Sequence, residues 1–286
     1  MRRQGGSFCV QVYLERRGVV RHGASLELAL FIYMSDTHNA VFFHEDKIML
    51  HDMAPQGYFT KTENIEIKGV KKLLIRSLLD RQQYHDPHDE ALRLGIGPAT
   101  WPLFGMLWPS AVHLAAHLAL RPVCPRENIL EIGCGLGLAS LVGHRRGARI
   151  TASDCHPLAE DFLRENLRLN DLCASLKYRH GQWGVEDSVN EQEGRVLLKG
   201  RYDLVIGSDL LYEPDMPFAL ATFIDRHALP RAEVWIVDQN RGYRTAFNRH
   251  MSAYRFELVK EKHLAHEACS DSGRASYKGR LLKYER

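Results

Sequence analysis

The chain has 286 residues, is 45% hydrophobic and 26% charged, and carries a formal net charge of +3. This is the composition of one globular domain plus an extension, and it holds no broad electrostatic argument for a nucleic-acid partner. There is no run of about 18 apolar residues and no apolar signal core before Glu15 and Arg16, so neither a membrane span nor a secretion leader is expected. The six cysteines, Cys9, Cys124, Cys134, Cys155, Cys173 and Cys269, form no Cys-x-x-Cys pair. They argue against a metal cluster or a disulfide framework and for a reducing, cytoplasmic compartment.

Residues 1–84 read as a separate region. Val10 to Leu14 alternates like a strand, and Ser25 to Tyr33 is apolar enough for a strand or a short helix. Val41-Phe-Phe43 and Ile48-Met-Leu50, separated by Glu45-Asp-Lys47, read as a hairpin. Leu73, Leu74, Leu78 and Leu79 predict a helix over about 70–84. His85-Asp-Pro-His-Asp-Glu90 holds metal-ligand types, but Pro87 breaks it and no further ligand cluster has a recognisable spacing, so a solvated loop is the better reading and no metal site is expected. Gly95-Ile-Gly-Pro98 marks a turn. The division is an N-terminal α+β extension over 1–95, acting in substrate selection or as a lid or dimer surface, and a main domain over 96–286.

Next, Trp108-Pro-Ser110 precedes Val112, Leu114, Ala115 and Leu118, a helix opened by Pro109, where a missing N–H costs nothing. Residues 128–154 then read as strand, glycine turn, helix, strand and acid. Ile129, Leu130 and Ile132 make the first strand; Gly133, Gly135 and Gly137 make the turn; the helix ends near Gly147; Ile150 to Ala152 leads to Asp154. A dinucleotide fingerprint needs glycine at the sixth position of the turn, which is Leu138, and the Lys-Ser/Thr ending of a phosphate loop is also missing. Glu131 would repel a pyrophosphate but suits a cofactor bearing an ammonium and a sulfonium. Bare glycines let such a cofactor lie against the backbone, and Asp154, as an acceptor, suits ribose hydroxyls. A glycine-rich turn without a ligand is the competing reading.

A helix from His156 to about Leu169 follows, then a weak strand at Leu176 to Tyr178 and the turn Gly181-Gln-Trp183. Residues 185–200 read as a polar excursion. Leu204 to Ile206 is a buried parallel strand that delivers Ser208 and Asp209 to the carboxyl end of a sheet, where open α/β sheets bind ligands. Asp209 could instead cap a helix. Ala232 to Asp238 reads as a strand, Thr245 to Met251 as a helix, Phe256 to Val259 and Gly279 to Tyr284 as strands, with 262–276 the loop between the last two.

Leu130-Glu-Ile-Gly-Cys-Gly-Leu-Gly137 with Asp154 resembles motif I and the following acidic motif of class I S-adenosylmethionine-dependent methyltransferases. Trp108 ahead of it and Asp209-Leu-Leu-Tyr212 after the fourth strand resemble the seven-β-strand protein lysine methyltransferases. The Asn-Pro-Pro-Tyr of adenine or glutamine-amide methylation is missing. The likeness runs over roughly residues 100–284. It implies an α/β, Rossmann-like, seven-stranded, mostly parallel sheet with helices on both faces and an antiparallel last strand. It implies S-adenosylmethionine held by Trp108, Glu131, Gly133, Gly135, Gly137, Asp154, Trp183 and Ser208, with Asp209 and Tyr212 catalytic and a protein lysine as acceptor. Gln239-Asn-Arg-Gly-Tyr-Arg244, after Asp238, loosely resembles the Asp-x-x-Arg loop of the electron-transfer-flavoprotein lysine methyltransferases, although Gln239-Asn240 departs from the expected Pro-Gly; a loop arginine is more often solvated. The alternatives are methylation of a small molecule or of a protein arginine or histidine, and a cofactor-binding scaffold without activity.

Overall fold

The computed structural model describes residues 31–33, 39–44, 47–52, 57–183, 195–264 and 277–286. Val10 to Leu14 and most of the 185–200 excursion lie outside them. Three short strands come first, β1 (Phe31–Tyr33), β2 (Asn39–His44) and β3 (Lys47–Asp52), all antiparallel. β2 and β3 form the expected hairpin, with Phe42 opposite Met49.

The helix expected over 70–84 is instead a strand. β4 (Thr60–Ile65) pairs antiparallel with β5 (Leu73–Leu78), Thr60 opposite Leu78. Leu73, Ile75 and Ser77 are buried at every second position, which is the period of a strand. The spacing of Leu73, Leu74, Leu78 and Leu79 imitates a helix face, but a distant partner decides the outcome. Asn166 and Asn170, one turn apart on a helix described below, present their amides to the free edge of β5. Asn166 Oδ1 accepts from Arg76 N at 2.7 Å; Asn170 accepts from Leu74 N at 2.9 Å and donates to Leu74 O at 2.7 Å. The two amides satisfy a sheet edge as a neighbouring strand would.

The 85–90 loop leads into a short helix, α1 (Glu90–Arg93), where Asp86 accepts from the amides of Ala91 and Leu92. A 3-10 turn (Trp101–Gly105) and α2 (Pro109–Leu120) follow. The main sheet then alternates with helices: β6 (Asn128–Ile132), α3 (Leu138–Arg145), β7 (Arg149–Asp154), α4 (Ala159–Leu169), which carries Asn166, and β8 (Lys177–His180). After these come β9 (Tyr202–Ser208), α5 (Met216–His227), β10 (Ala228–Asp238), α6 (Arg244–Ala253), β11 (Glu257–His263) and β12 (Arg280–Glu285).

The seven strands are ordered β11-β12-β10-β9-β6-β7-β8, parallel from β10 to β8, with β12 antiparallel to both neighbours. This is the Rossmann-like sheet that the resemblance implies. Successive residues of β9 serve opposite faces. Leu204 and Ile206 pack with α2, α3 and α4, while Val205 packs with α5 and α6. The β4–β5 hairpin joins the first of these cores through Leu73, Ile75 and Leu78. The chain leaves β6 for β7 and β8 on one side, then returns to β9 on the other. That reversal opens a crevice beyond the carboxyl ends of β6 and β9, the place where such sheets bind ligands.

Candidate active site

One wall of the crevice is the glycine turn. Gly133 and Gly135 have φ of 55° and 49°, a backbone region that other residues adopt only at a cost. Space is closed to a side chain as well: a Cβ on Gly135 would stand 2.7 Å from the carbonyl oxygen of Phe104. Asp154, at the end of β7, fastens this turn. Its Oδ2 accepts from Gly135 N at 2.8 Å and its Oδ1 from His156 N at 2.9 Å. Burial pushes its carboxyl up, against the amides of His156, Gly135 and Cys155, which favour the charged form. The turn that Asp154 makes with His156 also delays α4, which starts at Ala159 rather than at His156.

Glu131 and Gly137 stand behind this wall. Glu131 Oε2 accepts from Ser140 N at 2.7 Å, in the first turn of α3, and burial pushes its carboxyl up to about 7. Gly137, with φ of 71°, starts α3 and leaves no room for a Cβ beside Leu163. They brace the turn and do not line the cavity.

The opposite wall is built on β9. Asp209 N donates to Val237 O at 2.9 Å, carrying the β9–β10 ladder one residue beyond Ser208. The residue sits in the left-handed region, with φ of 56°, a strained backbone that concentrates at functional sites. It is not a helix cap, because α5 begins seven residues later and follows Asp215. The residue is 8% exposed; Oδ2 accepts from Gln239 Nε2 at 3.1 Å, and among the described residues no hydrogen-bond donor reaches Oδ1. Arg241 Nη1 is 3.6 Å from that oxygen, too far for a hydrogen bond but close enough for attraction. Burial pushes the Asp209 carboxyl up to about 6, opposed by Ser110 and Arg241 and reinforced by Asp238.

Between the walls lies a cavity of about 350 Å³, at the lower end of the range for small-molecule sites. Trp108, Gly133, Gly135, Asp154, Trp183, Ser208, Asp209 and Tyr212 all line it. Trp108 is fixed by its Nε1, which donates to Leu103 O at 2.9 Å, and Trp183 by an edge-on contact with Phe223. Tyr212 is 36% exposed, and burial still pushes its hydroxyl up, so it stays protonated.

Two further lining residues, Gln182 and His156, escaped the sequence argument, and a third, Arg241, belongs to the loop whose arginine it took as more often solvated. Arg241 lines the cavity and faces Asp209 while its side chain stays 31% exposed. Gln182 donates to Leu94 O at 2.6 Å and leaves its buried Oε1 without a hydrogen-bond partner among the described residues; its place beside Trp183 was the available signal. His156 stacks on Phe104 with centroids 3.6 Å apart, and burial pushes it down to about 3, so the ring is neutral.

The donor set fits S-adenosylmethionine. The glycine turn is a cradle that a Cβ would fill. Asp154 keeps acceptor capacity for hydroxyls, since each carboxylate oxygen has more than one lone pair. The orphaned Gln182 Oε1 can accept from an exocyclic amine, and the carboxylates of the lining suit cationic groups.

Comparison with known proteins agrees. The family model described as lysine methyltransferase matches residues 103–256, more than half of the chain. Similar relatives are the Homo sapiens histone-arginine methyltransferase METTL23, 29% identical over 47% of this chain and 70% of that one, and the Mus musculus EEF1A lysine methyltransferase 3, 27% identical over 50% and 60%. The Danio rerio protein N-lysine methyltransferase METTL21A is 29% identical over 43% of this chain and 56% of its own. Among these relatives, then, the matched stretch spans from little over half to 70% of their length. The solved structure of SMU.776 in complex with SAH has the same fold, with a TM-score of 0.53 at 10% identity over 86% of this chain and 59% of that one. With its seven-stranded sheet, its glycine cradle and this match, the chain belongs to the lysine methyltransferase family.

Proposed function

We propose that this protein transfers a methyl group from S-adenosylmethionine to the ε-amine of a lysine in a protein. The observation that carries the reading is Asp209, a buried carboxylate in a strained backbone with one oxygen that receives no hydrogen bond among the described residues, on the wall of the same cavity as Asp154.

The cofactor supplies a methyl group already activated on sulfur. The work left to the chain is alignment, which can supply much of a rate enhancement. Gly133 and Gly135 offer backbone, Asp154 accepts from the ribose, and Trp108, Trp183 and Ser208 complete the wall. Glu131 and Gly137 contribute by bracing the turn. Asp209 Oδ1 accepts a hydrogen bond from the incoming amine and so orients its lone pair. Tyr212 shapes the entrance. A lysine must arrive neutral, and enclosure away from water favours that form. Residues 96–286 form the catalytic domain in this reading, and 1–95 are its extension.

Among the described residues no helix is long and apolar enough to cross a membrane. Cys124, Cys134, Cys155 and Cys173 are free thiols, which supports a cytoplasmic setting. A second acceptor, arginine, is favoured by one observation: several of the similar relatives are named histone-arginine methyltransferases. Incubation of the purified protein with radiolabelled S-adenosylmethionine and a lysate of cells lacking it, followed by mass spectrometry of labelled bands, separates the readings. Label on lysine supports the proposal and label on arginine the second reading. Tight cofactor binding with no labelled protein contradicts both.

A further inference from the structure

Asp209 and Arg241 meet around Gln239. Gln239 Nε2 donates to Asp209 Oδ2 at 3.1 Å, and Gln239 Oε1 accepts from Arg241 Nη2 at 3.1 Å. The other terminal nitrogen of the guanidinium, Nη1, then stands 3.6 Å from Asp209 Oδ1. The loop that presents Arg241 is itself held in place. Asp238, buried at the end of β10, accepts from Asn240 N at 2.8 Å, and Asn240 and Gly242, on either side of Arg241, have φ of 65° and 98°. A fixed loop and a glutamine amide thus hold one positive charge beside the oxygen assigned to the acceptor amine.

That charge matters because of what a lone carboxylate would do. An opposite charge a few ångströms away favours the charged form of a group. Asp209 by itself would hold an incoming lysine as its ammonium, whose nitrogen has no lone pair to give. It would hold an arginine guanidinium better still, because that planar fork matches a carboxylate. With Arg241 at 3.6 Å the pair is close to neutral, so a neutral amine is accepted and a cation meets like charge. A lysine can leave its proton with solvent; a guanidinium cannot, its pKa lying above about 12.

The groups around this place do not repeat the role. Tyr212, with its hydroxyl protonated, and Glu213 follow β9, Asp238 lies behind the loop, and α2 brings only Ala111 to the lining. The opposite wall adds Asp154, the neutral His156, and the thiols of Cys134 and Cys155, which burial keeps protonated. Among the described residues of the lining, Arg241 is the one cation against the three carboxylates of Asp154, Asp209 and Glu213. Its side chain is 31% exposed, so solvent weakens its field without removing it.

We infer that Arg241 sets the acceptor class: it screens Asp209 from cations, so that the site takes an amine able to lose its proton and turns away a guanidinium. The inference rests on the reading of Asp209 given above. Arg241 is a specificity-determining residue and takes no part in the transfer. The acceptor proton has gone to solvent beforehand, and the methyl group and the positive charge then pass together from sulfur to nitrogen.

The test needs no natural acceptor. The full chain is saturated with S-adenosylhomocysteine, so that no methyl moves, and n-butylamine and n-butylguanidine are titrated in by ligand-observed NMR. At about pH 8 the amine is almost wholly charged and at about pH 10 partly neutral, around an ordinary value of about 10.4, while the guanidine stays charged at both. Wild type should bind the amine at least about ten-fold more tightly at the higher pH and show no such gain for the guanidinium. In Arg241→Gln the amine's gain should vanish, and the guanidinium should bind about ten-fold more tightly than in wild type. Adding Asp209→Asn to Arg241→Gln should abolish that tightening, and thermal melts check the fold of each variant. An amine gain of equal size in wild type and Arg241→Gln overturns the inference, as does a guanidinium affinity that the substitution leaves unchanged or a tightening that survives Asp209→Asn. Methylation that persists in Asp209→Asn would instead overturn the reading of Asp209, and the pH comparison would still report on Arg241.

Discussion

The carboxylates that follow β7 and β9 flank β6 on its two sides, and the chain treats them in opposite ways. Asp154 has both oxygens engaged by backbone amides that the glycine turn and the turn at His156, ahead of α4, supply. Asp209 has one oxygen on a side-chain amide and the other, among the described residues, without a hydrogen bond and 3.6 Å from Arg241 Nη1. A buried acceptor without a donor costs stability, and so does a left-handed backbone in a residue with a side chain. The contrast teaches a division of labour. The β6–β7 wall is finished before a ligand arrives and acts by shape, whereas the β9 wall is left incomplete for a group that comes from outside.

The largest effect should come from the incomplete wall. Asp209→Asn should lower methyl transfer by about 100- to 1000-fold, the loss seen when an aligned hydrogen-bonding group is removed from a reacting centre. Label incorporation measures it, and near-wild-type turnover would dissolve the contrast. Asp154→Ala should instead weaken S-adenosylmethionine binding by about 10- to 100-fold by calorimetry, because the turn loses its fastener as well as an acceptor. Unchanged affinity would make that wall dispensable.

The unfinished wall also answers to pH. Asp209 must be ionised to accept, and burial pushes its carboxyl up to about 6. Methyl transfer at saturating cofactor should therefore hold above about pH 6.5 and fall roughly ten-fold per unit below about pH 6. Initial rates that stay flat through pH 6 would remove the charged Asp209 from the chemistry.

Glu131, behind the finished wall, sharpens the comparison with the smallest functional effect. Its folded carboxyl titrates near 7 against an ordinary value of 4.5, so between those values the folded protein keeps a proton that the unfolded chain has lost. Its contribution is full below about pH 4.5 and disappears as pH rises through 7, by on the order of 3 kcal/mol. Glu131→Gln should flatten that part of the stability–pH curve in thermal melts at pH 5 and 8, with cofactor affinity within a few-fold of wild type.

The main sheet was legible because its signals are local. Gly133, Gly135 and Gly137 sit where the backbone turns left-handed, and Leu204 to Ile206 is apolar at every position because both faces of β9 are covered. Trp108, Asp154, Trp183, Ser208, Asp209 and Tyr212 converge because each follows a strand end or opens a helix at the same rim. What remained hidden depends on partners far along the chain. β5 reads as a helix until Asn166 and Asn170 occupy its edge from about 90 residues away. Arg241 reads as a solvated loop residue until β10 sets it against Asp209. The placing of Glu131 behind the turn, not on the cavity, follows from its bond to Ser140, which strand periodicity does not reveal.

The division between a finished and an unfinished wall is tested most directly by titrating S-adenosylmethionine calorimetrically into Asp209→Asn. The account predicts a dissociation constant within about two-fold of wild type, since Asp209 is kept for the acceptor. A loss of ten-fold or more, matching that of Asp154→Ala, would contradict it.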